Sequence, residues 1–170
     1  MAGYGLPNEQ HLSVVLQNSL EIEGYNIEIV NGSVSGSTSS GGLNIAEWTL
    51  SESNIDLMIL CLGANDMLRG INPKETKNNL EEIVKIAKRK NIKVIIAGMI
   101  APTSYGSGYK KSFDKIFYDL SKKYKLQLIP FLLEGVAQKP KFNLSDGMHP
   151  NDQGTIIIAN TLKKAILENL

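Results

Sequence analysis

The chain has 170 residues, a size that predicts one domain with a substantial core. Its apolar fraction of 42% and mean hydropathy of −0.10 are typical of soluble globular proteins, and no apolar run approaches the roughly 18 residues of a membrane span. With 18 Lys and Arg against 17 Asp and Glu, the net charge of +1 creates no field that would gather nucleic acid or anionic membrane.

The residue pattern alternates between helical and strand periods along the whole chain. The predicted elements, in order, are a helix from Asn8 to about Gly24, a strand from Asn26 to Asn31, a helix from about Leu43 to Leu50 that packs with Trp48, a strand from Ile55 to Leu62, a helix from Pro73 to about Lys90, a strand from Ile92 to Ala97, a helix from about Tyr109 to Tyr124, a strand from Leu126 to Ile129, and a terminal helix from Asn151 to Leu170.

Strands that alternate with helices in this way predict an α/β fold with a parallel sheet covered on both faces. In such sheets the ligand site lies beyond the carboxyl ends of the strands. The segments expected there are residues 32–42, 63–72, 97–108 and 146–150, which are also the segments richest in glycine and polar residues.

The stretch Asp146-Gly147-Met148-His149-Pro150 carries the strongest chemical signal. A carboxylate three residues from an imidazole can hold that imidazole in one tautomer, which makes the histidine a general base. The alternative is that His149 only packs at the start of the last helix. The other histidine, His11, has no carboxylate at a matching position on its helix and is expected at the surface.

Two loops that follow predicted strands offer hydrogen-bond donors. Gly36 lies in Asn31-Gly32-Ser33-Val34-Ser35-Gly36, and Asn65 follows a buried strand directly in Gly63-Ala64-Asn65-Asp66. The Gly36 N–H and the Asn65 amide could stabilise an oxyanion. The alternatives are a bare Gly-Ser turn and an Asn-Asp pair that satisfies turn backbone groups. Phosphate binding is disfavoured, because neither Gly-Lys-Ser/Thr nor G-x-G-x-x-G is present.

These three segments, taken in order, resemble three of the four sequence blocks of the SGNH (GDSL) hydrolases. Shorter stretches match as well: Leu68-Arg69-Gly70, Ala101-Pro102-Thr103-Ser104-Tyr105-Gly106 and Lys139-Pro140. Together they resemble the thioesterase I, lysophospholipase L1 and arylesterase branch of that family. The resemblance extends over essentially the whole chain.

The resemblance implies a flavodoxin-like three-layer α/β/α sandwich that forms a single domain over residues 1–170. It assigns His149 as the base, Asp146 as the residue that orients it, and Gly36 and Asn65 as oxyanion donors. Leu68, Ile71, Pro102 and Tyr105 are then expected to line the substrate pocket. The implied substrate is a small acyl ester or thioester, with no cofactor, no metal, no nucleic acid and no stable membrane insertion.

The first family block, Gly-Asp-Ser-Leu-x-Ala-Gly-Tyr, is matched only by its tail, Ala2-Gly3-Tyr4. The nucleophilic serine is therefore expected two residues upstream of Met1, and the first strand of the sheet is expected there too. Ser33, Ser35 and Ser37 do not lie on a strand-to-helix turn that would aim them at His149. The chain as written is thus expected to be N-terminally incomplete and inactive or nearly so.

Two rival functions remain open. One is a non-catalytic binding protein that keeps the SGNH pocket without its nucleophile, and the other is a flavodoxin-like nucleotide binder.

The lone cysteine, Cys61, excludes an internal disulfide framework but does not indicate a compartment. No signal peptide is recognisable at the N-terminus, so the chain as written is expected to be cytoplasmic. If a signal peptide lies upstream, a periplasmic or secreted protein is expected instead.

Overall fold

A computed structural model describes residues 3–51 and 54–170, and the chain divides into two compact units. The sheet unit is Gly36–Phe131, and the helix unit joins residues 3–35 to residues 132–170. Met1 and Ala2, which belong to the match with the first family block, lie outside the described residues. The single domain over residues 1–170 stays a prediction.

The described residues form six α-helices and three β-strands. They are α1 (Leu12–Ile22), α2 (Ser39–Thr49), β1 (Leu57–Leu60), α3 (Ala64–Leu68), α4 (Pro73–Arg89), β2 (Lys93–Ala97), α5 (Ser107–Tyr124), β3 (Gln127–Ile129) and α6 (Asp152–Leu167). Short 3₁₀ helices cover Asn8–Gln10, Thr103–Tyr105 and Pro140–Phe142. None of the helices in the described part of the chain is both long enough and apolar enough to cross a membrane.

The three strands of the sheet unit form a parallel sheet in the order β1-β2-β3, which confirms the predicted α/β class. Leu57 pairs with Lys93 and Ile95 pairs with Gln127, so the three strands end at the same edge. Four of the five residues of β2 are buried, as an apolar parallel strand between two neighbours requires.

Helix α4 begins where the sequence predicts it. The Asn72 side chain accepts a hydrogen bond from the Lys74 N–H at 3.0 Å, and Pro73 occupies the first helical position. Leu80, Val84 and Ala87 recur at helical spacing, and all three are fully buried. They join Phe113 and Phe117 of α5 in the core of the sheet unit.

The core of the helix unit lies between α1 and α6, which pack against each other. Leu12, Leu16 and Leu20 give α1 one buried face, and Ile158 and Leu162 are buried on α6. The predicted first helix is therefore present, but its first turn is the 3₁₀ helix Asn8–Gln10.

The predicted strand from Asn26 to Asn31 is wrong: these residues adopt no regular secondary structure. A strand needs a hydrogen-bonded neighbour, and here the side chain of Gln17 takes that place. Its Nε2 donates to the Ile27 carbonyl at 2.8 Å, and its Oε1 accepts from the Ile29 N–H at 2.7 Å. The side chain thus satisfies backbone groups that a ladder would otherwise use.

The predicted packing of Trp48 is also wrong, because this side chain is 80% exposed. Ala46 and Leu50, two residues to either side, are the buried positions. Residues two apart on a helix face nearly opposite directions, so burial of Ala46 and Leu50 turns Trp48 outward.

Candidate active site

The loop that carries Asp146 and His149 is closed at its base just before α6. An isolated antiparallel bridge joins Asn143 to Pro150, and the Leu144 N–H donates to the His149 carbonyl at 2.7 Å. Gly147 has a φ of +67°, a backbone conformation that favours glycine. The tight turn brings the two side chains of the pair to the same side of the loop.

The start of α6 holds this loop from the other end. The Asn151 side chain caps the helix by accepting a hydrogen bond from the Gly154 N–H at 3.0 Å. A Cβ on Gly154 would lie 2.2 Å from the Phe142 carbonyl oxygen, so only glycine allows this close approach. The helix start and the 3₁₀ helix Pro140–Phe142 therefore fix where the chain enters and leaves the loop.

Asp146 is the acceptor at the centre of the turn. Its Oδ2 lies 2.7 Å from His149 Nδ1, and its Oδ1 accepts from the backbone N–H groups of His149 at 2.9 Å and Met148 at 2.8 Å. These bonds lower the pKa of Asp146 to about 2, and the bond from the His149 N–H makes the largest contribution. The carboxyl group is therefore ionised at neutral pH, and its charge faces the imidazole.

This geometry selects one tautomer of His149. An ionised carboxylate can only accept, so Nδ1 carries the proton and Nε2 keeps a free lone pair. The two side chains are 41% and 39% exposed, which leaves the imidazole accessible. The Tyr4 ring contacts the imidazole, with ring centroids 4.5 Å apart and an angle of 35° between the planes. The sequence pattern indicates no separate role for Tyr4.

The two predicted oxyanion donors lie in the sheet unit, where one hydrogen bond links Asn65 to the residue that follows Gly36. Asn65, in the first turn of α3, donates from Nδ2 to the Ser37 carbonyl at 3.1 Å. Gly36 adopts a φ of +72°, and its carbonyl accepts from Arg69 Nη2 at 2.9 Å. A side-chain amide has two N–H groups, so Asn65 can hold the loop with one and donate elsewhere with the other.

Asp66 does more than satisfy turn backbone groups, which was the alternative that the sequence left open for it. It is fully buried, and it accepts from the Ser39 N–H at 2.8 Å, from the Ser39 hydroxyl and from the Thr76 hydroxyl at 3.1 Å. Asn79 Nδ2 donates to the Ser39 hydroxyl at 3.0 Å. This network ties the start of α2 to α3 and α4, next to both oxyanion candidates.

The predicted substrate residues fall on two segments of the sheet unit. Leu68 is 45% exposed, and Ile71 donates its N–H to the Asp66 carbonyl at 2.9 Å. Pro102 precedes the 3₁₀ helix that contains Tyr105, and Tyr105 stacks on Tyr109 with centroids 5.4 Å apart. The Tyr109 hydroxyl donates to the Ile71 carbonyl at 3.0 Å and thereby joins the two segments.

His11 is half-buried rather than at the surface, with its Nε2 3.1 Å from the Leu6 carbonyl oxygen. Within residues 3–51 and 54–170, no group of three or more His, Cys, Asp or Glu side chains is arranged to hold a metal ion.

The profile of the GDSL-like lipase/acylhydrolase family matches residues 1–155. An arylesterase of Vibrio mimicus is 33% identical over 169 residues, which are 99% of this chain and 84% of that protein. The esterase TesA of Pseudomonas aeruginosa is 36% identical over 149 residues, which are 88% of this chain and 74% of the relative.

Two solved structures are similar over almost the whole chain. The crystal structure of TesA superimposes with a TM-score of 0.93 at 32% identity and covers 99% of this chain and 94% of that one. The psychrotrophic esterase EstA from Pseudoalteromonas sp., solved as inhibited by monoethylphosphonate, has a TM-score of 0.93 at 30% identity and covers 98% of this chain and 91% of that one.

Proposed function

Because the chain belongs to the GDSL-like lipase/acylhydrolase family and shares the fold of the family's solved esterases, we propose that it hydrolyses small carboxylic esters or thioesters. The observation that carries the proposal is the hydrogen bond of 2.7 Å between Asp146 Oδ2 and His149 Nδ1. It leaves Nε2 free to accept a proton, which is what a base in acyl transfer needs.

In the proposed first half-reaction a serine hydroxyl attacks the acyl carbonyl carbon and passes its proton to His149 Nε2. The Gly36 N–H and the second N–H of Asn65 donate to the oxyanion that forms. Asp146 stabilises the resulting imidazolium, and His149 then gives its proton to the leaving alcohol or thiol. Water repeats these steps in the second half-reaction and releases the carboxylic acid.

The serine is proposed to lie two residues ahead of residue 1 in the natural protein. The support is the match of Ala2-Gly3-Tyr4 to the end of the family block that contains the nucleophile. Ser37 is a poor substitute, because its hydroxyl donates to the adjacent Thr38 carbonyl at 3.3 Å. We therefore expect the 170 residues alone to hydrolyse esters poorly, since the proposed nucleophile is not among them.

We test the proposal with the full-length natural protein, using p-nitrophenyl butyrate as the ester and butyryl-CoA as the thioester. We expect turnover of at least one of them. The 170-residue chain is the matched control and should show only background hydrolysis.

A full-length protein that binds an ester analogue without turning it over would contradict the proposal. That result would instead support the binding-protein alternative.

A further inference from the structure

The N-terminal segment of the helix unit packs against the loop that carries the base. The Leu6 N–H donates to the Gly3 carbonyl at 3.0 Å, which closes a four-residue turn that we call the N-terminal turn. Gly5 in this turn has a φ of +73°, and a Cβ on it would lie 2.8 Å from Leu144 Cδ1. The N-terminal turn is therefore seated against Leu144, the residue whose N–H donates to the His149 carbonyl.

Tyr4 is the second residue of the N-terminal turn, and its ring lies on the imidazole of His149. The ring centroids are 4.5 Å apart, and the ring planes make an angle of 35°. Two rings that lay side by side in one plane could not approach so closely, so the tyrosine turns its face towards the imidazole. Tyr4 is 60% exposed, so a contribution to the core of the helix unit does not explain the contact.

The charge of the imidazole decides how much this contact is worth. The face of an aromatic ring carries partial negative charge, which attracts a cation within about 6 Å of the ring centroid. A neutral imidazole gains only the stacking contact, whereas an imidazolium gains this attraction as well. Asp146 occupies Nδ1, so a proton accepted at Nε2 places a positive charge on the ring that Tyr4 contacts. The contact therefore favours the protonated form of His149.

We propose that Tyr4 is a positioning residue for the base: its ring stabilises the imidazolium that His149 becomes when it takes the proton of the serine. A histidine is mostly neutral at pH 8 and mostly charged at pH 5. At pH 8 the charge arises only during the reaction, so the ring lowers the barrier. At pH 5 the charge is present before substrate binds, so the ring stabilises both states equally and leaves the barrier unchanged. The inference rests on the proposed function, since His149 takes that proton only in an acyl hydrolase.

The pH dependence of the rate tests this role. Tyr4→Leu in the full-length protein replaces the ring with an apolar side chain. It should lower kcat/KM for p-nitrophenyl butyrate by about 2- to 5-fold at pH 8, the size of an exposed cation–π contact, and should match wild type at pH 5. Tyr4→Phe keeps the ring without the hydroxyl and should match wild type at both pH values. Asp146, which also contacts the imidazole, has a pKa of about 2 and stays ionised at both pH values.

Tyr118→Leu is the matched control, because Tyr118 lies on α5 of the sheet unit and is 54% exposed, much as Tyr4 is. This variant loses the same kind of ring and should match wild type at both pH values. A loss in Tyr4→Leu that is equal at pH 5 and pH 8 would indicate a structural role and would overturn the proposal. Wild-type rates in Tyr4→Leu at pH 8, or the same loss in Tyr4→Phe, would overturn it as well.

A second readout does not depend on catalysis. Because the ring favours the imidazolium, its contribution to folding is present where histidine is charged and is lost as the pH rises through the titration range of histidine. The thermal midpoint of wild type should therefore exceed that of Tyr4→Leu by a margin that is about 1–4 °C larger at pH 5 than at pH 8. The margin over Tyr118→Leu should be the same at both.

The two readouts separate the two proposals. A full-length protein without esterase activity would refute the proposed function, and the thermal midpoints would still test whether Tyr4 stabilises the charged form of His149. Normal esterase activity with the same margin at pH 5 and pH 8 would refute the role of Tyr4 alone.

Discussion

Asp66 and Asp146 both accept several hydrogen bonds, but their surroundings differ. Asp66 is fully buried in the sheet unit, and its donors Ser39 and Thr76 belong to neighbouring helices. Asp146 lies on an exposed turn of the helix unit, and its donors are all within three residues of it. The first arrangement joins separate elements, whereas the second orients one imidazole.

The difference indicates what each carboxyl group contributes. A buried acceptor that loses its bonds leaves its donors unsatisfied, which destabilises the fold. An exposed pair contributes little to folding because water replaces each partner. We therefore propose that the exposed pair serves chemistry at His149 Nε2, and that the buried network stabilises the segments that carry Gly36 and Asn65.

The largest expected effect is on the base. His149→Ala in the full-length protein should lower kcat for p-nitrophenyl butyrate by a factor on the order of 10⁶, because the proposed mechanism passes the proton of the serine to His149 Nε2. The unfolding midpoint should not change. His11→Gln is the control, since it alters the other histidine and keeps a donor for the Leu6 carbonyl. Turnover within about tenfold of wild type would refute the role of His149.

The buried carboxyl group should affect stability instead. Asp66→Asn places an N–H group among the Ser39 and Thr76 donors, so we expect the free energy of unfolding to fall by about 2–4 kcal/mol. Urea unfolding followed by circular dichroism measures this change. Glu47→Gln removes an exposed pair with Arg89 and should alter the free energy by less than about 0.5 kcal/mol. Equal free energies of unfolding for the two variants would show that the Asp66 network does not stabilise the fold.

The smallest effect is a pH dependence of stability that belongs to Asp146. Its pKa is lowered from 3.8 to about 2, so its contribution is fully present above about pH 4 and is lost as the pH falls through about 2. The difference in thermal midpoint between wild type and Asp146→Ala should therefore shrink between these two pH values. A difference that stays constant across the window would contradict the lowered pKa.

Features set by neighbours in the chain could be predicted from the sequence. The cap at Asn72 and Pro73 and the apolar runs of the three strands predicted the start of α4 and the parallel sheet. The Asp146–His149 pair was predicted for the same reason, since three residues and one glycine turn are enough to bring the groups together.

Features set by distant residues could not be predicted. Gln17 takes the place of a neighbouring strand at Ile27 and Ile29, and no local pattern indicates that a side chain will do so. The Asp66 network joins Ser39, Thr76 and Asn79, and its burial depends on how the helices pack. The contact of Tyr4 with His149 joins opposite ends of the chain.

The central claim, that the Asp146–His149 pair serves catalysis, is tested most directly by Asp146→Asn in the full-length protein. The amide oxygen can still accept from the Met148 and His149 N–H groups, but the amide N–H faces Nδ1 and favours the wrong tautomer. We predict that kcat/KM for p-nitrophenyl butyrate falls by about 10⁴-fold while the urea midpoint at neutral pH falls only slightly, because the pair is exposed. Asp152→Asn, which alters a carboxylate in the first turn of α6, should change neither quantity. A kcat/KM within about tenfold of wild type would contradict the claim.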